Sequence, residues 1–179
     1  EALQSFDAAL VLKPDHTIWT NRARVLKEMG RFEDAVAACD RALSLTPDSA
    51  VAWHERGNVL LRSKRFADAL ASYDRALAIQ PDHVPAVIQR ALVLQSLHHL
   101  DEAMAGAETA GGLAAAEAGF RQAVAISPDL AEAHTHLGNV LREQGKLDAA
   151  EASYRRAIAL QANESGAYVG LGNVLHDRG

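Results

Sequence analysis

Cysteine, long apolar runs and an excess of positive charge are all missing from this chain of 179 residues. Cys39 is the single cysteine, so it cannot form a disulfide within the chain, and nothing in the sequence indicates an oxidising compartment. No apolar run approaches the roughly 18 residues that a membrane-spanning helix requires, and no signal peptide is recognisable. We therefore expect a cytoplasmic protein that does not contact a membrane.

The charge balance argues against a nucleic-acid partner. The chain has 18 Lys and Arg against 23 Asp and Glu, which gives a net charge of −5. Because binding to phosphate groups requires a basic surface, we expect no nucleic acid to be bound.

Signatures of catalysis and of metal binding are also absent. The sequence contains no His-Glu-x-x-His, Cys-x-x-Cys, Gly-x-x-x-x-Gly-Lys-Ser/Thr or Gly-x-Ser-x-Gly. His98 and His99 are adjacent, and neighbours on a helix point about 100° apart, which makes a poor chelate. His134 occupies a position expected to be a packed core residue. We predict no enzymatic activity, no cofactor and no metal site.

A repeat with a period of 34 residues is present instead. Arg31-Phe32 returns as Arg65-Phe66, and Pro47-Asp48 returns as Pro81-Asp82. A fixed period of this length indicates an architecture of stacked structural units. The clearest copy is the stretch 50–83.

Two helices are predicted within each copy, with core residues at helical spacing. In the stretch 50–83 these residues are Trp53, Gly57 and Leu60 on the first helix, and Ala69, Tyr73 and Ala76 on the second. The small residues let two helix backbones approach closely, while the aromatic rings fill the space around them. Pro81 ends the second helix. In the preceding copy Cys39 stands where Tyr73 stands, which predicts a buried small hydrophobe.

This pattern of an aromatic, a small residue four positions later, and then Ala, aromatic, Ala and Pro resembles the tetratricopeptide repeat. The resemblance implies an all-α fold, a right-handed superhelical solenoid of helix pairs. The chain 1–179 would be a single array that contains a half repeat 1–15, repeats 16–49, 50–83, 84–129 and 130–163, and a half repeat 164–179.

The third repeat carries extra residues, because the distance from Pro81 to Pro128 exceeds the period. We expect its first helix to end near Leu97 and its second helix to begin at Leu113. Gly-Gly pairs disfavour helix, and Gly111-Gly112 precede Leu113. The insertion near 101–112 is therefore predicted to form a short separate helix and a loop.

The resemblance also implies where a ligand binds. In tetratricopeptide proteins the first helices line the concave face, and ligand-contacting side chains lie mainly at positions 2, 5, 9, 12 and 13 of the repeat. A protein or peptide is the implied partner. The candidate ligand-binding residues on this chain are Arg24, Lys27, His54, Asn58, Arg62, Gln95, Thr135, Asn139, Arg142, Asn173 and His176.

Position 9 is the most informative of these, and it is occupied by Arg24, Asn58, Leu92, Asn139 and Asn173. An asparagine offers both a donor and an acceptor, so a row of exposed asparagines is suited to the backbone of an extended peptide. The LGNVL of 137–141 and 171–175 looks like the repeats of O-linked N-acetylglucosamine transferase, in which such a ladder binds peptide. Solvated asparagines without a ligand are the alternative interpretation.

Three functions remain open on the sequence. The favoured one is a scaffold module that docks a peptide on the concave face, and a second is the recognition arm of a larger enzyme such as a glycosyltransferase. The third is a structural module that stacks head to tail through its ends. It is suggested by apolar residues that an adjoining helix would cover, which are Leu3, Phe6 and Leu10 at one end and Tyr168, Leu171 and Leu175 at the other.

Overall fold

The computed structural model describes residues 2–105 and 110–179, except for the side chains of residues 100–105 and 110. All regular structure in this part of the chain is α-helical, which confirms the predicted fold class. The helices are α1 (Ala2–Leu12), α2 (His16–Glu28), α3 (Phe32–Leu45), α4 (Ala50–Arg62), α5 (Phe66–Ile79), α6 (Val84–Ala105), α7 (Ala110–Ile126), α8 (Ala131–Glu143), α9 (Leu147–Leu160) and α10 (Ser165–Asp177). Among them, none combines the length and the apolar character that crossing a membrane requires.

The helices group into two compact units, residues 1–89 and 90–179, and the boundary falls within α6. In the first unit the pairs α2–α3 and α4–α5 correspond to the predicted repeats 16–49 and 50–83. In the second unit α8–α9 corresponds to the repeat 130–163. The arrangement of all repeats as a single array stays a prediction.

Short caps and turns set the helix ends. The Asp15 carboxylate accepts a hydrogen bond from the Thr17 amide at 2.7 Å, and the Ser49 hydroxyl accepts one from the Ala52 amide at 3.2 Å. The turns after α2 and α8 contain Gly30 and Gly145 with φ of 73° and 72°. Lys64 adopts the same left-handed conformation, with φ 61°, in the turn after α4. The three turns therefore share one geometry, although only two of them have the residue that favours it.

The core of each unit consists of alanines, leucines and valines around one or more large rings. In the first unit Ala35, Ala69 and Ala76 are fully buried together with Tyr73, and in the second unit Ala157 is fully buried. These small residues lie where the sequence pattern places helix contacts. Cys39 is also fully buried, and burial raises the pKa of its thiol to about 12. The thiol is therefore protonated at neutral pH and packs as a small hydrophobe, as predicted.

The prediction for the insertion is wrong in its helical part. Residues 101–105 continue α6 as one helix up to Ala105, instead of forming a separate short helix after a break near Leu97. Gly111 and Gly112 lie inside α7, and residues 106–109 are outside the described part of the chain. A Cβ on Gly112 would come within 2.7 Å of the Cβ of His98. Gly112 thus permits a close contact between α6 and α7 and does not end a helix.

Candidate functional site

In the first unit, helices α2 and α4 bring several predicted ligand-binding residues together around one carboxylate. Glu55 is only 6% exposed, and its Oε1 lies 3.6 Å from the guanidinium of Arg24. Its Oε2 lies 3.5 Å from the ammonium of Lys27, and its Oε1 lies 3.4 Å from the side-chain amide nitrogen of Asn58. We call Arg24, Lys27, Glu55 and Asn58 the Glu55 cluster.

Glu55 itself was not predicted, because it stands at position 6 of the repeat. A buried carboxylate loses several kcal/mol of hydration unless cations and hydrogen bonds replace it. Two cations and one amide do so here, although Oε2 accepts no hydrogen bond from the described residues. An acidic residue three positions before Asn58, opposite the basic residues of α2, was the sequence signal that could have identified it.

His54 contributes no positive charge to this unit at neutral pH. Its ring is half-buried, with the ring of His83 at 5.0 Å and the ring of Tyr73 at 6.0 Å between centroids. Burial lowers the pKa of His54 to about 4, although the neighbouring Glu55 carboxylate opposes this shift. The neutral imidazole can donate or accept one hydrogen bond at each nitrogen according to its tautomer.

Two cavities open beside the Glu55 cluster. The first has a volume of about 240 Å³, and the predicted residues Lys27, Asn58 and Arg62 all line it. Its other lining residues are Glu28, Leu61 and Gln89. The second cavity, of about 290 Å³, is lined by Arg24 together with residues at the starts of α2 and α4. The structure thus brings three predicted residues to one cavity, while Arg24 lines the other cavity.

In the second unit most predicted side chains are engaged within the protein. The guanidinium of Arg142 lies 3.3 Å from the carboxylate of Asp177, and it also interacts with the hydroxyl of Tyr154. The side-chain amide of Gln95 donates a hydrogen bond of 2.8 Å to the carboxylate of Glu143. Asn173 and His176 are exposed on α10.

Thr135 does not have the exposed position that was expected. Its side chain is buried, and its hydroxyl donates a hydrogen bond of 3.1 Å to the carbonyl oxygen of Ala131, one turn earlier on α8. A Cβ on Gly166 would come within 3.3 Å of the Thr135 methyl group, so the two helices nearly touch there. A small β-branched side chain whose hydroxyl is hydrogen-bonded to its own helix fits such a contact. The contact leaves no Thr135 surface for a ligand.

The asparagines at position 9 differ from the expected exposed ladder. The hydroxyl of Tyr73 donates to the carbonyl oxygen of Asn58 at 2.9 Å, and that of Tyr154 donates to the carbonyl oxygen of Asn139 at 2.7 Å. Both asparagines are half-buried, whereas Asn173 is exposed. The tyrosines come from the second helix of the same repeat. The hydrogen bond therefore depends on how the two helices pair, and the spacing of residues within either helix does not predict it.

Two sequence-family models match the chain. One, described as tetratricopeptide repeat, matches residues 1–50 and 20–84, and the other, described as TPR repeat, matches residues 138–179. The chain is built of tetratricopeptide repeats. No curated protein matches this chain in sequence.

Solved structures show that the tetratricopeptide fold extends over almost the whole chain. YrrB, described as a TPR protein with an unusual peptide-binding site, is 21% identical with a TM-score of 0.75, and the match covers 98% of this chain and 84% of YrrB. TTC0263, a thermophilic TPR protein of Thermus thermophilus, is 23% identical with a TM-score of 0.72 over 97% and 88% of the two chains. The first TPR domain of Spaghetti (RPAP3), solved with the HSP90 peptide SRMEEVD, is 21% identical with a TM-score of 0.62 over 72% and 91%. The expected helical-solenoid fold class is thereby confirmed, while the similarity to O-linked N-acetylglucosamine transferase stays a prediction.

Proposed function

We propose that this chain is a scaffold module that binds an extended protein or peptide segment on the face formed by the first helices of its repeats. The observation that carries the proposal is the cavity beside the Glu55 cluster, where Lys27, Asn58 and Arg62 come together from two successive repeats. Its volume of about 240 Å³ is suited to one side chain and a short length of backbone. YrrB and the RPAP3 domain, which share the fold, are described with a peptide-binding site and with a bound peptide, and this supports the proposal.

The electrostatics of the first unit favour hydrogen bonding over charge as the basis of binding. Arg24 and Lys27 both lie against the Glu55 carboxylate, and Lys27 also lies 3.7 Å from the Glu28 carboxylate, so these two cations already face two carboxylates of the protein. Arg62 is exposed on the rim of the cavity and supplies a cation that these pairs do not use. A ligand that offers backbone carbonyl groups, with at most one or two acidic side chains, fits this arrangement.

A displayed library of random linear peptides tests the proposal. Peptides selected on the wild-type chain are measured by isothermal titration against a variant with Asn58→Ala, Asn139→Ala and Asn173→Ala. The loss of three side-chain amides should weaken binding by at least about tenfold. Asn163→Ala is the matched control, because Asn163 is an exposed asparagine outside the first helices. Peptides that bind the triple variant and the wild type equally would contradict the proposal.

A second candidate function is head-to-tail self-association, and it rests on α10 and α1. Rings fill the space beside Gly57 and Gly138, but no atom of the described residues lies within 4 Å of a Cβ on Gly172, the corresponding glycine of α10. Tyr168 and Leu175 are 51% and 52% exposed on the same helix. In the repeat pattern Phe6 of α1 occupies the ring position, so α1 of a second copy could fill this space.

Light scattering over a range of protein concentrations tests the self-association. Leu175→Glu should abolish a concentration-dependent increase in mass, because a charge would enter the apolar contact. Leu45→Glu is the control, since Leu45 is similarly exposed at 48% but lies on α3. A wild-type chain that remains monomeric at millimolar concentration would exclude this candidate.

A further inference from the structure

Two of the first helices carry, in their first turn, a ring that is hydrogen-bonded to the turn before the helix. The Nε1–H of Trp53 donates a hydrogen bond of 2.9 Å to the carbonyl oxygen of Pro47, and His134 Nε2 lies 2.8 Å from the carbonyl oxygen of Pro128. Because a carbonyl oxygen can only accept, His134 is the donor in the second case. In both repeats the ring follows its proline by six positions, and the proline carbonyl uses its N–H.

Trp19 is the corresponding ring of α2, but the turn before it is one residue shorter, since Trp19 follows Pro14 by five positions. The two tryptophan rings are otherwise placed alike. The guanidinium of Arg22 lies 5.6 Å from the centroid of Trp19, and that of Arg56 lies 5.8 Å from the centroid of Trp53. Among the described residues the Trp19 Nε1–H has no hydrogen-bond acceptor, and the nitrogen is not enclosed. It can therefore donate to a ligand.

The shortened turn borders a cavity of about 300 Å³, which is lined by Pro14, Trp19, Arg41, Ser44 and Leu45. Leu45 is 48% exposed, so an apolar wall faces water. Arg41 is exposed, and no residue in the described part of the chain forms an ion pair with it. The Ser44 hydroxyl already donates to the carbonyl oxygen of Arg41 at 2.8 Å. The cavity thus combines apolar walls with two N–H donors that the protein does not use.

The next repeat shows the same position filled. Arg75 is the residue that corresponds to Arg41, and its guanidinium lies 5.6 Å from the centroid of Trp53. Trp53 therefore has an acceptor for its N–H and two arginines over its ring. The open cavity of the first repeat is accordingly a consequence of its shorter turn, and its lining includes none of the predicted ligand-binding residues.

We propose that this cavity binds an extended, proline-containing peptide segment with an acidic residue beside the proline. Proline has no backbone N–H, and the extended conformation of proline-rich segments leaves their carbonyl oxygens without internal hydrogen bonds. One such carbonyl accepts from the Trp19 Nε1–H, and the proline ring packs against Trp19 and Leu45. The acidic side chain pairs with Arg41. This site goes beyond the proposed function and does not depend on it.

Nuclear magnetic resonance of the tryptophan Nε1–H groups tests the inference, because the chain has only two tryptophans. Before any peptide is added, the Trp19 Nε1–H should exchange with water faster than that of Trp53. The capped peptide acetyl-Pro-Pro-Glu-Pro-amide should then shift the Trp19 signal and leave the Trp53 signal in place. A peptide with alanine at every proline should bind at least about threefold more weakly, since proline supplies the apolar contact and a preorganised chain.

Trp19→Phe removes the N–H and retains an aromatic ring. It should weaken binding of the proline peptide by about two- to tenfold, measured on the backbone amide signals of Ser44 and Leu45. Trp53→Phe is the matched control and should leave the affinity unchanged, because its N–H faces the protein. A thermal melt by circular dichroism checks that each variant is folded.

Arg41→Gln is a second variant, and its exposed site makes it safe for folding. It should weaken the proline peptide by about two- to fivefold, yet have no effect on the same peptide with glutamine in place of glutamate. Arg75→Gln is the control at the corresponding position of the next repeat and should not change the affinity.

Four results would overturn the inference. They are an unmoved Trp19 signal at millimolar peptide, equal binding of the alanine peptide, unchanged affinity in both Trp19→Phe and Arg41→Gln, and a Trp19 signal that shifts with protein concentration alone, which would make a second copy of the chain the occupant. The variant with Asn58→Ala, Asn139→Ala and Asn173→Ala separates this site from the proposed function. It should bind the proline peptide as the wild type does, whether or not selected peptides bind the first-helix face.

Discussion

Single buried polar residues organise the proposed binding surface more closely than its exposed residues do. The Glu55 carboxylate contacts Arg24, Lys27 and Asn58, and the residue is almost entirely buried. His54 is beside this cluster and stays neutral because burial lowers its pKa. At the scale of the residue, buried groups such as Glu55 therefore position the side chains of the proposed surface, although a ligand would contact these buried groups very little.

Removing the Glu55 carboxylate should destabilise the first unit. Glu55→Ala leaves Lys27, whose side chain is only 13% exposed, without its buried counterion, and we expect the free energy of unfolding to fall by roughly 3 kcal/mol. Asp68→Ala is the matched control, because the Arg65–Asp68 pair is half-exposed and such pairs contribute less than about 1 kcal/mol. Urea titration measures both, and equal effects would show that Glu55 is not a buried counterion.

His54 should make stability depend on pH in a defined window. Its pKa is about 4 in the folded chain against 6.5 for an ordinary histidine, so the unfolded chain binds a proton more readily between these values. Stability should therefore be fully present above about pH 6.5 and fall as the pH decreases toward 4. His54→Asn should flatten the curve of unfolding free energy in this window, whereas His176→Asn, at an exposed site, should not. An unchanged slope in His54→Asn would contradict the burial of this ring.

At the scale of the element, the helix pairs depend on small residues at their contacts. Ala76 and Ala157 are 0% exposed on α5 and α9. Replacing either by Leu adds volume where two backbones approach, and we expect a loss of about 1–3 kcal/mol. Ala78→Leu and Ala159→Leu are matched controls on the exposed faces of the same helices and should be close to neutral. A denaturant titration that gives equal values for buried and exposed positions would mean that the packing faces are wrongly assigned.

The turns between paired helices provide a second test at this scale. Gly145→Ala should cost about 1–2 kcal/mol through its left-handed backbone alone, since no atom in the described part of the chain lies within 4 Å of an added Cβ. Lys64→Gly should stabilise the chain by up to about 1 kcal/mol, because Lys64 adopts the same conformation with a side chain that disfavours it. If thermal melts show both substitutions to be destabilising, the turn after α4 does not have this geometry in solution.

The sequence predicted the helix pairs well because period, small residues and closing prolines all describe contacts between neighbours in the chain. It failed at Gly111-Gly112 because a glycine pair is compatible both with a helix end and with a close contact between helices. Only the position of His98 across from Gly112 distinguishes the two. The role of Glu55 was missed for a similar reason, since its burial depends on cations supplied by a different repeat.

At the scale of the whole molecule, the two units consist of similar helix pairs, but the predicted ligand-binding residues of each unit have different partners. In the first unit Lys27, Asn58 and Arg62 share a cavity, while in the second unit Arg142 and Gln95 are engaged with Asp177 and Glu143. A segment bound by the first unit therefore meets an open cavity, and one bound by the second must compete with internal pairs. We expect the first unit to contribute more to the affinity for a peptide.

The most direct test of the account is a map of backbone amide shifts, measured by nuclear magnetic resonance on the wild-type chain with a selected peptide. We predict that the largest shifts lie on the first helices α2 and α4, around Lys27, Asn58 and Arg62, with smaller ones on α8 and α10. The second helices α3, α5 and α9 should change little. Shifts confined to those second helices, or to α1 alone, would contradict peptide binding on the first-helix face.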